Sequence, residues 1–302
     1  MQYEFCCDLI QEAKLHKILE EVVHVEQIIN DQSLAAFGGK GRKMTVQVRN
    51  EEIHSGHLIL INTGYPVRQK EGSEPLAPLS LHPEIREWHD GIQLEKTCFR
   101  QLTALLEASG GMDEIVVVSG YRTEEEQRSI YEQSLVDNGA AYTASYVALP
   151  NHSEHQTGLA VDVGKMRRDV DFIAPSFPDS GECRAFKELA ADYGFIQRYK
   201  EGKRPITGIA CEPWHFRYVG CPHARLIDQY DFCLEEYIDF LKAYKHDGPY
   251  LTTGYGCAAA EIYFVPADNG AVTNVPIVNG EAYRLSGNNV DGFIVTAFHE
   301  KG

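Results

Sequence analysis

No stretch of this 302-residue sequence is apolar for the roughly 18 residues that a membrane span needs. The N-terminal MQYEFCCDLIQEAKLHK lacks the basic start and apolar core of a secretory signal. Basic residues are scarce: 28 Lys and Arg face 44 Asp and Glu, a formal charge of -16. Such a field repels phosphate backbones and anionic membranes, so nucleic acid is not an expected partner. One well-placed arginine could still hold a small anion. C-x-x-C pairs are missing too. The eight cysteines, at 6, 7, 98, 183, 211, 221, 233 and 257, read as buried thiols in a reducing compartment and not as a disulfide framework. As it stands the chain reads as cytoplasmic; a trimmed N-terminus would leave an extracytoplasmic location open. The oligomeric state is not legible.

What is present is the composition of a soluble globular protein, 43% hydrophobic and 24% charged, long enough for one large domain or two modest ones. Residues 5–30 have mostly helical apolar spacing. Met44 to Leu60 alternates like strands around a polar turn, and a loop rich in Pro and Gly follows from Gly64 to Pro83. Residues 91–109 read as a helix, Ile115–Ser119 as a buried strand, and Glu124–Val136 as a helix with Thr123 as its N-cap. Strands are expected at Leu159–Val163 and Trp214–Val219, and helices at Ala185–Tyr193 and from Pro222 to about Tyr244. After Gly248 the helix signal fades. Alternating runs and Asn-Gly pairs at 269–270 and 279–280 predict β-hairpins. The expected division is a helix-and-hairpin region over 1–56, a central domain over 57–245 and a small β-rich domain over 249–302.

Three constellations carry chemistry. In Ser153-Glu154-His155-Gln156-Thr157-Gly158-Leu159-Ala160-Val161-Asp162, a histidine in a polar turn precedes an aspartate inside an apolar strand. Aspartate is rarely buried without a charge partner, and a divalent metal is a strong one; alone, the pair is weak evidence. Glu212-Pro213-Trp214-His215 is an E-x-x-H. Zinc hydrolases commonly draw three ligands from His and carboxylate and leave the fourth position to water. His155, Asp162 and His215 fit that count. Zinc brings its water's pKa to about 7, and a base must still carry the proton to the leaving amine. Glu212 suits that role. Residues three apart in an extended chain point to opposite faces, so a bend is expected near Pro213.

The third constellation is Ser119-Gly120-Tyr121-Arg122, after the Val-rich strand, with Gln127 further on. The arginine's planar fork can pair with a carboxylate or stabilise an oxyanion, although in isolation it reads better as a surface arginine opening a helix. Among the other candidates, His223 reads as structural and not as a fourth ligand, Cys211 as a buried thiol, and Trp214 as a core or pocket-wall aromatic.

Taken in order, Ser-Gly-Tyr-Arg, Gln, Ser-x-His-x-x-Gly-x-Ala-x-Asp and Glu-x-x-His resemble the D-Ala-D-Ala metallopeptidases. That family includes VanY-type D,D-carboxypeptidases, vancomycin-resistance dipeptidases and L,D-carboxypeptidases. The resemblance covers roughly residues 57–242. It implies a small α+β fold whose antiparallel sheet, flanked by helices, carries a single zinc site; residues 249–302 add a β-rich appendage. It also implies one zinc ion on His155, Asp162 and His215, catalysis by Glu212 with Arg122, and a substrate carboxylate held by Arg122, Gln127 and Ser153. The implied reaction is removal of a C-terminal D-alanine from a peptidoglycan stem peptide or its precursor. L,D-carboxypeptidase, D,D-dipeptidase and non-catalytic peptide binding stay open as alternatives. Pro150-Asn151-His152 departs from the Pro-Gly usual in relatives; Asn tolerates the left-handed backbone, and His152 could be mistaken for a ligand. Asn138–Leu149 is the expected specificity loop.

Overall fold

A computed structural model describes residues 44–68, 75–255, 258–278 and 282–300. The helix expected over 5–30 and the Asn-Gly pair at 279–280 lie outside them. The chain forms two compact units, His57–Asp239 and a unit built from the described parts of Met1–Gly56 and Phe240–Gly302.

The first described strand, β1 (Met44–Arg49), belongs to the unit of the chain ends. In the His57–Asp239 unit, β2 (Leu76–Pro78) pairs with β4 (Gln93–Glu95), while β3 (Arg86–Glu87) edges the main sheet. The centre of that sheet is dictated by apolar runs. β5 (Ile115–Ser119) is buried at every position, and β6 (Ala160–Lys165) at all but its last. β7 (Phe195–Gln197) and β8 (His215–Tyr218) complete the order β3-β5-β6-β8-β7. β5, β6, β8 and β7 run antiparallel, as expected, but β3 joins β5 in parallel, so the sheet is mixed. Strands buried on both faces read as unbroken apolar runs. β7 escaped the sequence reading because three residues are too short for a periodic signal.

Helices cover this sheet. α1 (Lys96–Ser109) buries Cys98, Leu102, Leu105 and Leu106, a helical stripe facing the core. It starts later than expected, because Gln93–Glu95 is strand and the Glu95 carboxylate caps the helix, accepting from the amides of Thr97 and Cys98 at 2.8 and 2.9 Å. α2 (Glu124–Asn138) opens on the capping box formed by Thr123 and Glu126. α3 (Ala140–Tyr146) occupies most of the stretch expected to be a loop, a short helix that apolar periodicity could not reveal. α4 (Gly181–Leu189) and the short α5 (Arg204–Thr207) follow. The single helix expected from Pro222 to Tyr244 is two, α6 (His223–Gln229) and α7 (Leu234–Leu241). Asp231, at φ 50°, breaks the run, and the Glu236 carboxylate accepts from the Cys233 amide at 2.8 Å to start the second helix.

In the other unit, β9 (Leu251–Tyr255), β10 (Ala258–Pro266), β12 (Ala282–Gly287) and β13 (Gly292–Glu300) form an antiparallel sheet in the order β12-β13-β10-β9. β11 (Val272–Ile277) instead pairs antiparallel with β1, from Met44 opposite Ile277 to Arg49 opposite Val272. The Asn269-Gly270 turn therefore leads from one sheet to another and closes no ladder between β10 and β11. The same pairing joins residues from 1–56 and 249–302, which the sequence treats as separate domains. The strand expected from Met44 gives way after Arg49 to a 3-10 turn, Asn50–His54, whose residues are not buried.

Candidate active site

Strand register assembles the site. Across β5, β6 and β8, Ser119 lies opposite Asp162 and Asp162 opposite His215, so three side chains stand abreast on neighbouring strands. A register shift between Val117 and Ser119 brings Ser119 into this row. His155 arrives from the 3-10 turn Glu154–Thr157, which ends on Gly158 at φ 71°. A Cβ on Gly158 would meet the Glu95 backbone nitrogen at 2.9 Å, so this position needs glycine both for its left-handed backbone and for its close approach. Glu212 is turned onto the same side by the expected bend at Pro213: the His215 amide donates to the Glu212 carbonyl at 3.3 Å.

His155, Asp162 and His215 are buried, and one ligand atom from each lies within 4.8 Å of the others. The His155 Nδ1 bonds the Gly120 carbonyl oxygen at 2.7 Å, so Nδ1 carries the proton and Nε2 is left facing Asp162 Oδ2 at 3.1 Å. His215 Nδ1 lies 2.8 Å from Asp162 Oδ1 and 4.0 Å from Glu212 Oε2. The donor set, two imidazole nitrogens and a carboxylate oxygen with their lone pairs converging, suits zinc. The Gly120 bond provides the partner that a ligating histidine normally has on its other nitrogen.

Charge organises the same groups. Burial, helped by the Arg122 cation, pushes His155 down to about 4, which keeps it neutral. Burial works against a charged His215, but Asp162, Glu154 and Glu212 outweigh it and raise the group to about 9. Asp162 is held well below the carboxylate range, against burial, by the two histidines. Glu212 is raised to about 8 by burial and by the nearby carboxylates of Asp162 and Glu154. A metal on His215 Nδ1 must displace the proton shared with Asp162. Zinc uptake at neutral pH should therefore release about one proton, and apparent affinity should climb close to tenfold per pH unit as pH rises toward 9. Calorimetry in buffers of different ionisation enthalpy measures both; an affinity flat between pH 6 and 8 contradicts this assignment.

Arg122 follows β5 and fans across the cleft. Its Nη2 donates to Asp162 Oδ2 at 2.9 Å, Nε to Ser119 Oγ at 2.8 Å and Nη1 to Gln127 Oε1 at 3.2 Å. Gln127 in turn donates to the Ala148 carbonyl at 2.8 Å, so it braces Arg122 against the segment after α3. Ser153, Trp214 and the α3 residue Tyr146 line the same cleft. His152 stays out of the ligand group, its Nδ1 at 2.8 Å from the Asn62 carbonyl oxygen, and Asn151 takes the left-handed backbone at φ 65°. His223 is buried with its Nδ1 2.7 Å from the Tyr237 hydroxyl, away from the ligand group as expected.

The family model for "VanY: D-alanyl-D-alanine carboxypeptidase" matches residues 91–221, which include Ser119, Arg122, Gln127, Ser153, His155, Asp162, Glu212 and His215. The bifunctional D-Ala-D-Ala dipeptidase and D-Ala-D-Ala carboxypeptidase VanXYC of Enterococcus gallinarum is 47% identical over 189 residues, 61% of this chain and 94% of the relative. The chain belongs to the VanY-type D-Ala-D-Ala metallopeptidase family. A D-alanyl-D-alanine carboxypeptidase of Enterococcus faecium is 36% identical over 258 residues, covering 83% of this VanY-type chain and 78% of that relative. The solved structure of the vancomycin resistance D,D-dipeptidase VanXYg in complex with a D-Ala-D-Ala phosphinate analogue matches with a TM-score of 0.80 and 45% identity, over 86% of this chain and 100% of that one.

Behind the His155, Asp162 and His215 group of this VanY-type chain lies a buried layer that the motifs do not announce. Arg198 and Arg217 are both 0% exposed and both donate to Glu154 Oε1 at 2.8 Å. Arg198 also forms a bidentate pair with Glu235, at 2.8 and 2.7 Å. Two guanidinium groups and two carboxylates balance to zero charge, which is what makes their burial tolerable. Tyr199 stacks on the His215 ring with centroids 5.0 Å apart. The one signal available was an arginine directly after one short strand, Phe195-Ile196-Gln197, and another inside His215-Phe216-Arg217-Tyr218, where a buried charge demands a partner.

Proposed function

We propose that this chain is a zinc-dependent D,D-carboxypeptidase that removes the C-terminal D-alanine from peptidoglycan-type peptides. The observation that carries the reading is the convergence of His155, Asp162 and His215 within 4.8 Å, beside a buried Glu212. His155 through Nε2, Asp162 and His215 through Nδ1 would hold a single zinc ion. When bound, zinc supplies Lewis acidity and makes water nucleophilic near neutral pH. Glu212 takes the proton from the attacking water and returns it to the departing amine; with burial raising its pKa to about 8, it is suited to both transfers. Arg122 has its guanidinium at the cleft, where it can meet the peptide's terminal carboxylate or the developing oxyanion. Gln127, which accepts from Arg122 Nη1, would set the orientation of that guanidinium, and Ser153, which lines the same cleft, would help bind the carboxylate. We assign this chemistry to the central domain of the expected 57–245 division.

A second reading has specific support. Relatives named as bifunctional dipeptidase and carboxypeptidase and as D,D-dipeptidase align over nearly their whole length, so cleavage of free D-Ala-D-Ala belongs in the same test. The decisive experiment measures D-alanine released from a pentapeptide ending in D-Ala-D-Ala, from a tetrapeptide and from the free dipeptide, each with and without chelator. The expected outcome is chelator-sensitive release from the pentapeptide. Preference for the tetrapeptide would move the assignment to L,D-carboxypeptidase, and preference for the dipeptide to dipeptidase. Silence on all three from zinc-loaded protein would leave a peptide-binding protein.

A further inference from the structure

His215 Nε2 and Glu154 Oε2 are both buried, neither has a hydrogen-bond partner elsewhere among the described residues, and they face each other at 3.5 Å. Two buried polar atoms facing one another without other partners are costly unless a proton joins them. The separation is only slightly longer than an ordinary hydrogen bond. Glu154 cannot turn away, because its Oε1 is gripped by Arg198 Nε and Arg217 Nη1, both at 2.8 Å. A carboxylate in that grip only accepts, so the imidazole nitrogen opposite must be the one that carries hydrogen. The ring has little freedom to flip, since Tyr199 stacks on it at 5.0 Å and His155 meets it edge-on, also at 5.0 Å.

We propose that Glu154 is a positioning residue which selects the tautomer of His215. By accepting a hydrogen bond from Nε2–H it leaves Nδ1, the nitrogen beside Asp162, with the lone pair that a metal needs. The role rests on the zinc-site reading above, and it gives the Glu154–Arg198–Arg217 layer a purpose: the arginines hold the carboxylate in place and aimed.

Glu154→Gln tests this, because the isosteric change inverts the polarity. The amide oxygen must stay with the two guanidinium donors, which turns the NH2 toward His215 Nε2. That nitrogen becomes the acceptor, so the one proton of the neutral ring stays on Nδ1, where it blocks ligation. Zinc affinity of Glu154→Gln, measured by chelator competition, should fall by roughly 10–100-fold. Glu95→Gln serves as the comparison; it alters another buried carboxylate, the α1 cap, which the structure keeps out of the ligand group. It should retain wild-type zinc affinity whatever it does to stability. Long-range 1H–15N spectra of the zinc-loaded wild type should show His215 protonated on Nε2 and metallated on Nδ1, a readout that does not depend on any variant folding. Unchanged affinity in folded Glu154→Gln, or His215 metallated on Nε2, overturns the tautomer role while the zinc site stands. A wild-type chain that takes up no zinc overturns the site reading and this role with it.

Discussion

Glu212→Gln is expected to lower turnover by roughly 10²–10⁴-fold while stoichiometric zinc remains bound. Glutamine keeps the volume and the hydrogen-bonding shape of the side chain but cannot take a proton. Glu212 sits 4.0 Å from His215 Nδ1 and has no place in the ligand group itself, so its loss should spare the metal. The substitution also removes a buried group whose charged form is disfavoured, since burial raises its pKa to about 8. Folded stability should therefore hold or rise. The check is kcat beside zinc content and a thermal melt on one preparation. Near-normal kcat with zinc in place would remove Glu212 from the mechanism; lost zinc would recast it as a support of the metal.

The second large effect is expected from Asp162→Asn. Asp162 accepts from Arg122 at 2.9 Å and lies 2.8 Å from His215 Nδ1 and 3.1 Å from His155 Nε2. Neutralising it removes the one anionic member of the proposed ligand group and takes from Arg122 its hydrogen-bonded counter-charge. Loss of an outer partner of a metal ligand typically costs about 10–100-fold in affinity, and loss of a ligand should exceed that, with activity falling below detection. Breaking a buried charge pair costs of the order of 3–5 kcal/mol. Some of this is recovered here because His215 can give up its proton once Asp162 no longer holds it. Zinc content after dialysis, read beside a melt of the metal-free protein, measures the two effects separately. Stoichiometric zinc in Asp162→Asn would exclude Asp162 as a ligand.

The strands that carry Ser119, Asp162 and His215 and the helix after Arg122 were the most legible parts of the fold. Ile115–Ser119 and the capped helix after Thr123 appear where apolar runs and capping chemistry put them. Errors collect where an element is too short to show a period or where a side chain ends it. β7 and α3 fall in the first group, the break at Asp231 in the second. The pairing of β1 with β11 was invisible for a different reason. It joins residues more than two hundred positions apart, and local pattern carries no information about which distant strand an edge will meet.

By itself, the sequence determined which chemical groups are available and roughly where they sit along the chain: two histidines, an aspartate and a glutamate at motif spacing, an arginine at the end of a buried strand, and a bend at Pro213. These follow from residue identity and short-range geometry. Only the tertiary structure decided that Ser119, Asp162 and His215 stand abreast on three strands, that Gln127 braces Arg122, and that Glu154, passed over inside its own motif, is locked by two arginines against His215. Register and burial are cooperative properties of the packed sheet. They set which nitrogen of a histidine is free and which carboxylate keeps its proton, and that depends on neighbours brought together by the fold from anywhere in the chain.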